Sequence, residues 1–548
     1  MIKENHLRVS YFPLGRLGWI FLFSLVLLLS SCQKKESIFS DNQVFRYNEH
    51  SNITTLDPAF SRKQAEIWAT NQLFNGLVQL DDKLQVKPDI AKSWEFLNNG
   101  KTINFTLRND VYFHKHILFG KDSSRVVVAK DFEYSFNRLL DQKVASPGKW
   151  VLNNVANFKA INDTIFQINL KEVFPPFLGL LTMKYCSVVP KEIVEYYGSD
   201  FRSNPIGTGP FYKKLWVENT KLVFRKNPLY FEKENGKQLP YLEAIAITFL
   251  PDKQSEFLQF VQGNLDILSS IDASYKDELL TELGTLQSKY ISSINMQKSP
   301  YLNTEYLGFF MEVNKEYPTS NSLIRKAINY GFDRVKMIKY LRNSIGTPAV
   351  NGFIPRGLPS FDALKGYDYQ PKKAKALIKQ YIQETGNKNP QITITTNAQY
   401  LDLCEFIQQE MNNLGLKIKV EVVPPSVLRQ GKSKGDFPVF RASWIADYPD
   451  AENYLALYYS KFKTPNGSNY THFEDKKFDE LYEQSISTID NKFRYKLYQK
   501  MDSILISKAP IVPLYYDEVT MFSQKNIQNF TINPISLLNL KRVRKVSL

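Results

Sequence analysis

Gly431-Lys432-Ser433-Lys434-Gly435 matches G-x-S-x-G, the elbow that presents a serine nucleophile in acyl-transfer hydrolases. That elbow needs a strand before it and a helix after it. Here Pro424 and Pro425 precede it and lysines flank the serine, so the segment reads as a solvent loop; His472 is the only histidine downstream. Gly100-Lys101-Thr102 copies the end of a phosphate-binding loop, but Glu95 stands where the first glycine is required. It reads as a hairpin turn. His114-Lys115-His116 could set two imidazoles on one strand face as a metal pair. No carboxylate or cysteine lies near it, so a surface strand is preferred. Neither HExxH nor CxxC occurs. No catalytic or metal site assembles, and no cofactor is implied.

An acid in a different setting is more informative. Gln391–Thr396 alternates like a strand, and Tyr400–Leu414 then places Leu403, Phe406, Ile407, Met411 and Leu414 on one helical face. Gly415 stops that helix. Leu416–Val423 is a second strand and Val439–Ala446 a third. Strand, helix, strand predicts a right-handed crossover in a parallel sheet. Ligands of such sheets bind beyond the carboxyl ends of the strands, where Asp447 falls. Earlier in the chain, 104–107 and 164–170 read as strands and 129–140 as a helix with Phe132, Phe136, Leu139 and Leu140 at helix spacing. Pro/Gly-rich turns near 204–210 and 352–359 are candidate crossing points between lobes.

The first residues carry Lys3, Arg8 and Arg16, then an apolar run from Trp19 to Leu29, then Ser30-Ser31-Cys32. A positive start, an eleven-residue apolar core and small residues at a cleavage site make a secretory leader over 1–31. The run is too short for a bilayer span of roughly 20 residues. The Leu29-Ser30-Ser31-Cys32 ending resembles the lipobox of bacterial lipoproteins, which implies lipid on Cys32 and a body tethered outside the cytoplasm. Residues 32–42 are polar and aperiodic, as a tether should be. No second apolar stretch is long enough to cross a membrane, so the body reads as soluble.

Cleavage before Cys32 leaves 517 residues, more than one core accommodates. Of the chain's 70 basic and 55 acidic side chains the leader holds three and one, so the body carries 67 against 54, or +13. The lysines are spread; only Lys541-Arg542-Val543-Arg544-Lys545 is dense. With no nucleic-acid motif present, the charge reads as a solvated surface beside an anionic bilayer. Cys186 and Cys404 remain after lipidation and form no disulfide framework.

From about residue 48 onward the chain resembles the extracytoplasmic solute-binding proteins of peptide/nickel-type ABC importers, the oligopeptide- and dipeptide-binding proteins. The likeness rests on ordered segments: Thr55-Leu-Asp-Pro58, Leu73-Phe-Asn-Gly-Leu77, Lys87-Pro-Asp-Ile-Ala-Lys-Ser-Trp94, Thr106-Leu-Arg108, Ala129-Lys-Asp-Phe132, Asn204-Pro-Ile-Gly-Thr-Gly-Pro-Phe211, Arg225-Lys-Asn-Pro-Leu-Tyr230, Gly263-Asn-Leu-Asp266, Ile324-Arg-Lys-Ala-Ile328 with Asp333-Arg334, and Trp444-Ile-Ala-Asp-Tyr-Pro449. One departure stands out. Where the family has a Trp-x-Asp-Gly turn, this chain runs Phe113-His-Lys-His-Ile-Leu-Phe-Gly120, leaving that turn's conformation open.

The resemblance implies an α/β fold of the periplasmic-binding-protein type (type II, large cluster). Two lobes joined by crossing strands close like a clamp, with an extra domain inserted in the first. Lobe I would use 43–78, 207–295 and 505–548, the inserted domain 79–206, and lobe II 296–504. It also implies a short peptide, or a similar small solute, captured between the lobes and passed to an ABC permease whose separate subunits hydrolyse ATP. The binding protein itself does no chemistry and is a monomer. In the oligopeptide branch the aspartate matching Asp447 holds the ligand's α-ammonium, a charge-assisted hydrogen bond. Arg441 matches an arginine used for the ligand's carboxylate, although an exposed strand arginine is its default reading. Trp444 and Tyr448 either line side-chain pockets or pack in the core, and Asp447 could instead cap the turn before Pro449. The alternatives are the same fold with a nickel chelate, an oligosaccharide or a signalling peptide, or a lipid-anchored hydrolase using Ser433.

Overall fold

The computed structural model describes residues 43–547 apart from 270, 271 and 273. Cys32, its leader and the tether lie outside the described residues. The strand–helix–strand pattern forms as read. Strand Gln391–Thr396 pairs in parallel with Lys417–Val422 on one side and Val439–Ile445 on the other. Between them, helix Leu401–Leu414 buries Leu403, Cys404, Ile407 and Met411, three and four residues apart, so one face meets the sheet. Gly415 ends it at φ 98°, a left-handed conformation that costs glycine nothing.

These strands edge a seven-stranded sheet whose centre is two long antiparallel strands, Ile294–Phe309 and Ile511–Gln524. Their register slips between Pro300 and Thr304, where proline offers no N–H to the ladder. One end of the pair buries Ile294 and Phe522 with Phe257 and Phe260. The other buries Leu307, Phe309, Val512 and Leu514 under helix Ser322–Gly331. The same two strands therefore serve separate cores.

A four-stranded sheet, Val44–Asn48, Ala244–Thr248, Lys221–Lys226 and Phe211–Val217, builds another. Alternate residues Phe45, Tyr47, Leu222, Phe224, Ile245 and Ile247 turn inward onto Trp68 and Leu73 of helix Gln64–Leu73. A further antiparallel sheet, Ala91–Leu97, Thr102–Leu107, Ile165–Leu170 and Val155–Ala160, is covered by helix Ala129–Leu140. Phe132, Phe136 and Leu139 of that helix meet Phe105, Phe166 and Ile168 in a core of their own. Leu140, read as part of the same face, is 37% exposed because the helix ends there. Lys101 sits in the hairpin turn between two of these strands.

Asp57, in the Thr55–Pro58 segment, joins the last two sheets' cores. Its carboxylate accepts both Nη groups of Arg138 from helix Ala129–Leu140 and the Ala59 N–H. Asp57 is 3% exposed.

The Asn204–Phe211 segment has an explanation in packing. Gly207 and Gly209 press on the Leu73 backbone so closely that a Cβ at either would collide with it, and Gly209 N–H donates to Leu73 C=O at 2.9 Å. His114 holds this loop from the other side. Gly207 N–H donates to its Nδ1 at 3.2 Å, and its Nε2–H donates to Gly209 C=O at 3.0 Å. His116 Nε2 lies 3.0 Å from the Tyr197 hydroxyl. The surface-strand reading of His114 is therefore corrected: the ring is 2% exposed, and both nitrogens are spent on backbone.

Burial pulls the His114 pKa down to about 4. The unfolded chain takes up the proton near pH 6.5, the folded one only near 4, so stability falls as pH drops between the two. At about 1.4 kcal/mol per unit this amounts to roughly 3 kcal/mol. Urea denaturation from pH 7 to 4 is expected to show that loss, and His114→Gln, which keeps one donor and one acceptor, is expected to flatten the slope by that amount.

The bases of the dense tail are matched in the fold: Lys541 pairs with Glu232 at 2.8 Å, Arg542 with Glu234 at 2.8 Å and Lys545 with Asp266 at 2.8 Å, while Arg544 lies 3.8 Å over the Tyr241 ring. One further expectation is corrected. Ser433 is in the last turn of helix Pro425–Lys434, not in a loop; the two prolines start a helix, as proline does at a first turn. Cys186 and Cys404 are buried free thiols. No described helix is long and apolar enough to cross a membrane.

Candidate functional site

A cavity of about 480 Å³ opens beyond the carboxyl end of strand Val439–Ile445. Its size falls within the roughly 300–1,000 Å³ of small-ligand pockets. Helix Gln64–Leu73 supplies Ile67, Trp68 and Asn71 to one wall. That wall is stiffened from behind: Trp68 Nε1–H donates to Ser536 C=O at 2.6 Å and Asn71 Nδ2 to Leu538 C=O at 2.9 Å. Met183, Lys184 and Tyr185 come from a short turn, and Ala446, Asp447 and Tyr448 from the strand end.

Asp447 presents its side chain to the cavity and is exposed there. Among the described residues it has no ion-pair partner. Enclosure by the cavity walls raises its carboxyl above the ordinary aspartate value, and the Asn453 amide pulls it part of the way back. The same amide aims it: Asn453 Oδ1 accepts the Asp447 backbone N–H at 3.1 Å and the Trp444 Nε1–H at 2.8 Å. Trp444 is half-buried against the Tyr454 core and stands behind Asp447 rather than among the lining residues.

Tyr448 reaches across. Its ring is 7% exposed, packs in the core of the Ala129–Leu140 helix and its sheet, and meets Phe174 edge-on at 6.4 Å. Its hydroxyl and that of Tyr482 both donate to Glu452, whose carboxyl burial pushes up to about 6. Arg441 is 6% exposed, pairs with Glu305 and lies 3.1 Å over the Tyr400 ring; it is not among the lining residues. Of the four residues singled out from sequence, Asp447 and Tyr448 line the cavity, Trp444 backs it and Arg441 lies apart.

Sequence reasoning missed Asn453, Lys184, Tyr185 and Tyr230. None sits in a pattern that local spacing reveals. As for the serine reading, Ser433 is on the helix rather than ahead of it, and both ring nitrogens of His472 are engaged, by Thr464 and Glu312.

Comparison with known proteins adds four findings. The family model for bacterial extracellular solute-binding proteins, family 5, middle part, matches residues 85–466. Dipeptide-binding protein DppE of Bacillus subtilis is 24% identical over 534 residues, covering 92% of each chain. Glutathione-binding protein GsiB of Shigella flexneri is 24% identical over 490 residues, covering 88% of this chain and 91% of that one. Among solved structures, the periplasmic binding protein DppA of Helicobacter pylori in complex with peptide STSA superposes with a TM-score of 0.71. It is 24% identical, over 92% of this chain and 98% of that one.

Proposed function

The chain belongs to the bacterial extracellular solute-binding proteins of family 5, and from that premise we propose that it captures short peptides through their free α-ammonium and delivers them to an ABC permease. One observation carries the reading: Asp447 lines a cavity of ligand size with no cation paired to it among the described residues. A carboxylate taken out of water without a partner costs several kcal/mol. A guest's ammonium supplies the missing charge, so enclosure is favourable only around a charged guest. The relatives named for dipeptide and glutathione binding support the same class of guest.

In this reading Trp444 and Asn453 position Asp447, and Tyr448 anchors the strand end across the cavity. Arg441 serves its pair with Glu305. Segments 43–78, 207–295 and 505–548 make the first lobe, 79–206 the inserted domain and 296–504 the second lobe. The separate sheet and core of the Ala91–Leu170 region support this division. The long strands Ile294–Phe309 and Ile511–Gln524 would cross between the lobes. Lipid on Cys32 would tether the monomer outside the cytoplasm, beside its permease and ATPase subunits.

Isothermal titration with short peptides tests the proposal. Free-amine peptides are expected to bind, and their N-acetylated forms at least tenfold more weakly. Equal binding of both would remove Asp447 from its role.

A further inference from the structure

Two of the buried cores each hold one residue that comes from the other side of the cavity. Leu84 is the first. It stands in the turn of the hairpin made by Val78–Leu80 and Val86–Pro88, and it is 4% exposed. Its side chain joins the core of Leu302, Tyr306, Phe353 and Tyr454, where among the described residues it is the only buried member from ahead of residue 302. Tyr448 is the second. It joins the core of Phe132 and Phe166, where among the described residues it is the only buried member from beyond residue 188. In the division proposed above, Leu84 reaches from the first-lobe side into the second lobe, and Tyr448 reaches back the other way.

The backbone of Leu84 is strained to make this reach. Its φ is 59°, in the left-handed region that suits glycine and disfavours other side chains. The turn imposes that conformation. Asp81 N–H donates to Gln85 C=O at 3.0 Å and Leu84 N–H to Asp81 C=O at 2.9 Å, while Asp81 Oδ1 accepts the Lys83 and Gln85 N–H groups, each at 2.9 Å. Glycine would meet the turn without strain. Leucine needs an offset, and burial of its side chain in the facing core supplies one. Tyr448 is braced differently: its hydroxyl donates to Glu452 on its own side, so the ring projects as a fixed prong.

Both residues belong to segments that line the cavity between them. Gln79 and Leu80, in the first strand of the hairpin, face it, as do Asp447 and Tyr448. The opposite bank meets Tyr448 closely: Phe174 lies edge-on to it, and a Cβ on Gly179 would lie 3.6 Å from Pro449 and 3.8 Å from Tyr448. These contacts are apolar and indifferent to a guest's charge. We propose that Leu84 and Tyr448 are reciprocal latches that hold the two halves together across the cavity and so set how long a guest stays. The inference rests on the lobe division and the peptide reading above; Asp447 selects the guest, and the latches retain it.

Small-angle scattering of the empty protein and the dissociation rate of a bound short peptide test it. Leu84→Gly removes the knob and relieves the backbone. It is expected to enlarge the radius of gyration and to speed dissociation about tenfold, with association nearly unchanged. Tyr448→Ala is expected to act in the same direction. Leu84→Met, which keeps an apolar side chain of similar volume, is expected to keep both wild-type values. Leu497→Ala truncates a leucine that the second lobe itself gives to the core Leu84 enters, and is expected to lower the melting temperature without moving either quantity. Wild-type radius and dissociation rate in Leu84→Gly overturn the inference. So does an equal change in Leu497→Ala, or a wider protein that releases its peptide no faster. Where no peptide binds wild type, the peptide reading falls and the radius alone decides the latches.

Discussion

Asp447→Asn is expected to raise the Kd of a short free-amine peptide about a hundredfold, and to leave the Kd of its N-acetylated form nearly unchanged. The magnitude follows from what is lost. Truncating one partner of an enclosed, hydrogen-bonded charge pair costs roughly 2–5 kcal/mol, of which 2.7 kcal/mol is a factor of a hundred. Much of that is the penalty of leaving the ammonium in the cavity without its anion. Asparagine keeps the size of the side chain and the backbone N–H that Asn453 accepts. The empty protein should therefore melt within a degree or two of wild type. Any shift should be upward, since partial burial holds the Asp447 carboxyl above its ordinary range and the substitution relieves that. The two perturbations, variant and acetylation, should not add, because each removes the same pair. A Kd within threefold of wild type would show that the ammonium sits elsewhere.

The second large effect concerns stability. Asp57→Ala leaves the Arg138 guanidinium in a site where it is 11% exposed, facing Phe201 at 5.6 Å with its bidentate partner gone. Removing one member of such a pair costs roughly 3–5 kcal/mol, because the survivor is a desolvated, uncompensated charge. Chemical denaturation should report a loss of that size. The double variant Asp57→Ala, Arg138→Met, which removes both charges, should recover much of it. Recovery is the informative arm: without it, the loss belongs to the Ala59 N–H that Asp57 also caps.

How far the sequence discloses this molecule depends on the range of the interaction. The crossover from Gln391 to Ile445 and the helix Ala129–Leu140 were legible because each is a local period, and a one-faced helix or an alternating strand must bury that face. Asp447 was legible for a related reason: the place where a parallel strand ends is where ligands meet such sheets. What was not legible joins distant residues. Asn453 matters to Asp447 only because the chain turns back after Pro449. Arg441 finds Glu305 from another strand, 136 residues away. Lys184 faces Asp89 and Lys541, which no spacing rule connects to it. A Pro-Pro pair reads locally as a break, whereas Pro424 and Pro425 start the helix that holds Ser433. The matching of the tail's bases was not legible either, because each acidic partner lies far back in the chain.

That matching bears on when the molecule can take shape. Strand Ile511–Gln524 lies in the middle of its sheet, between Ile267–Leu268 and Ile294–Phe309, and the final bases clasp Glu232, Glu234 and Asp266. A chain delivered N-terminus first thus lacks an inner strand of its seven-stranded sheet and three ion pairs until residues 511–545 are in place. Trimming the final eight residues should accordingly harm the assembly of the finished body, since it removes all three of those pairs.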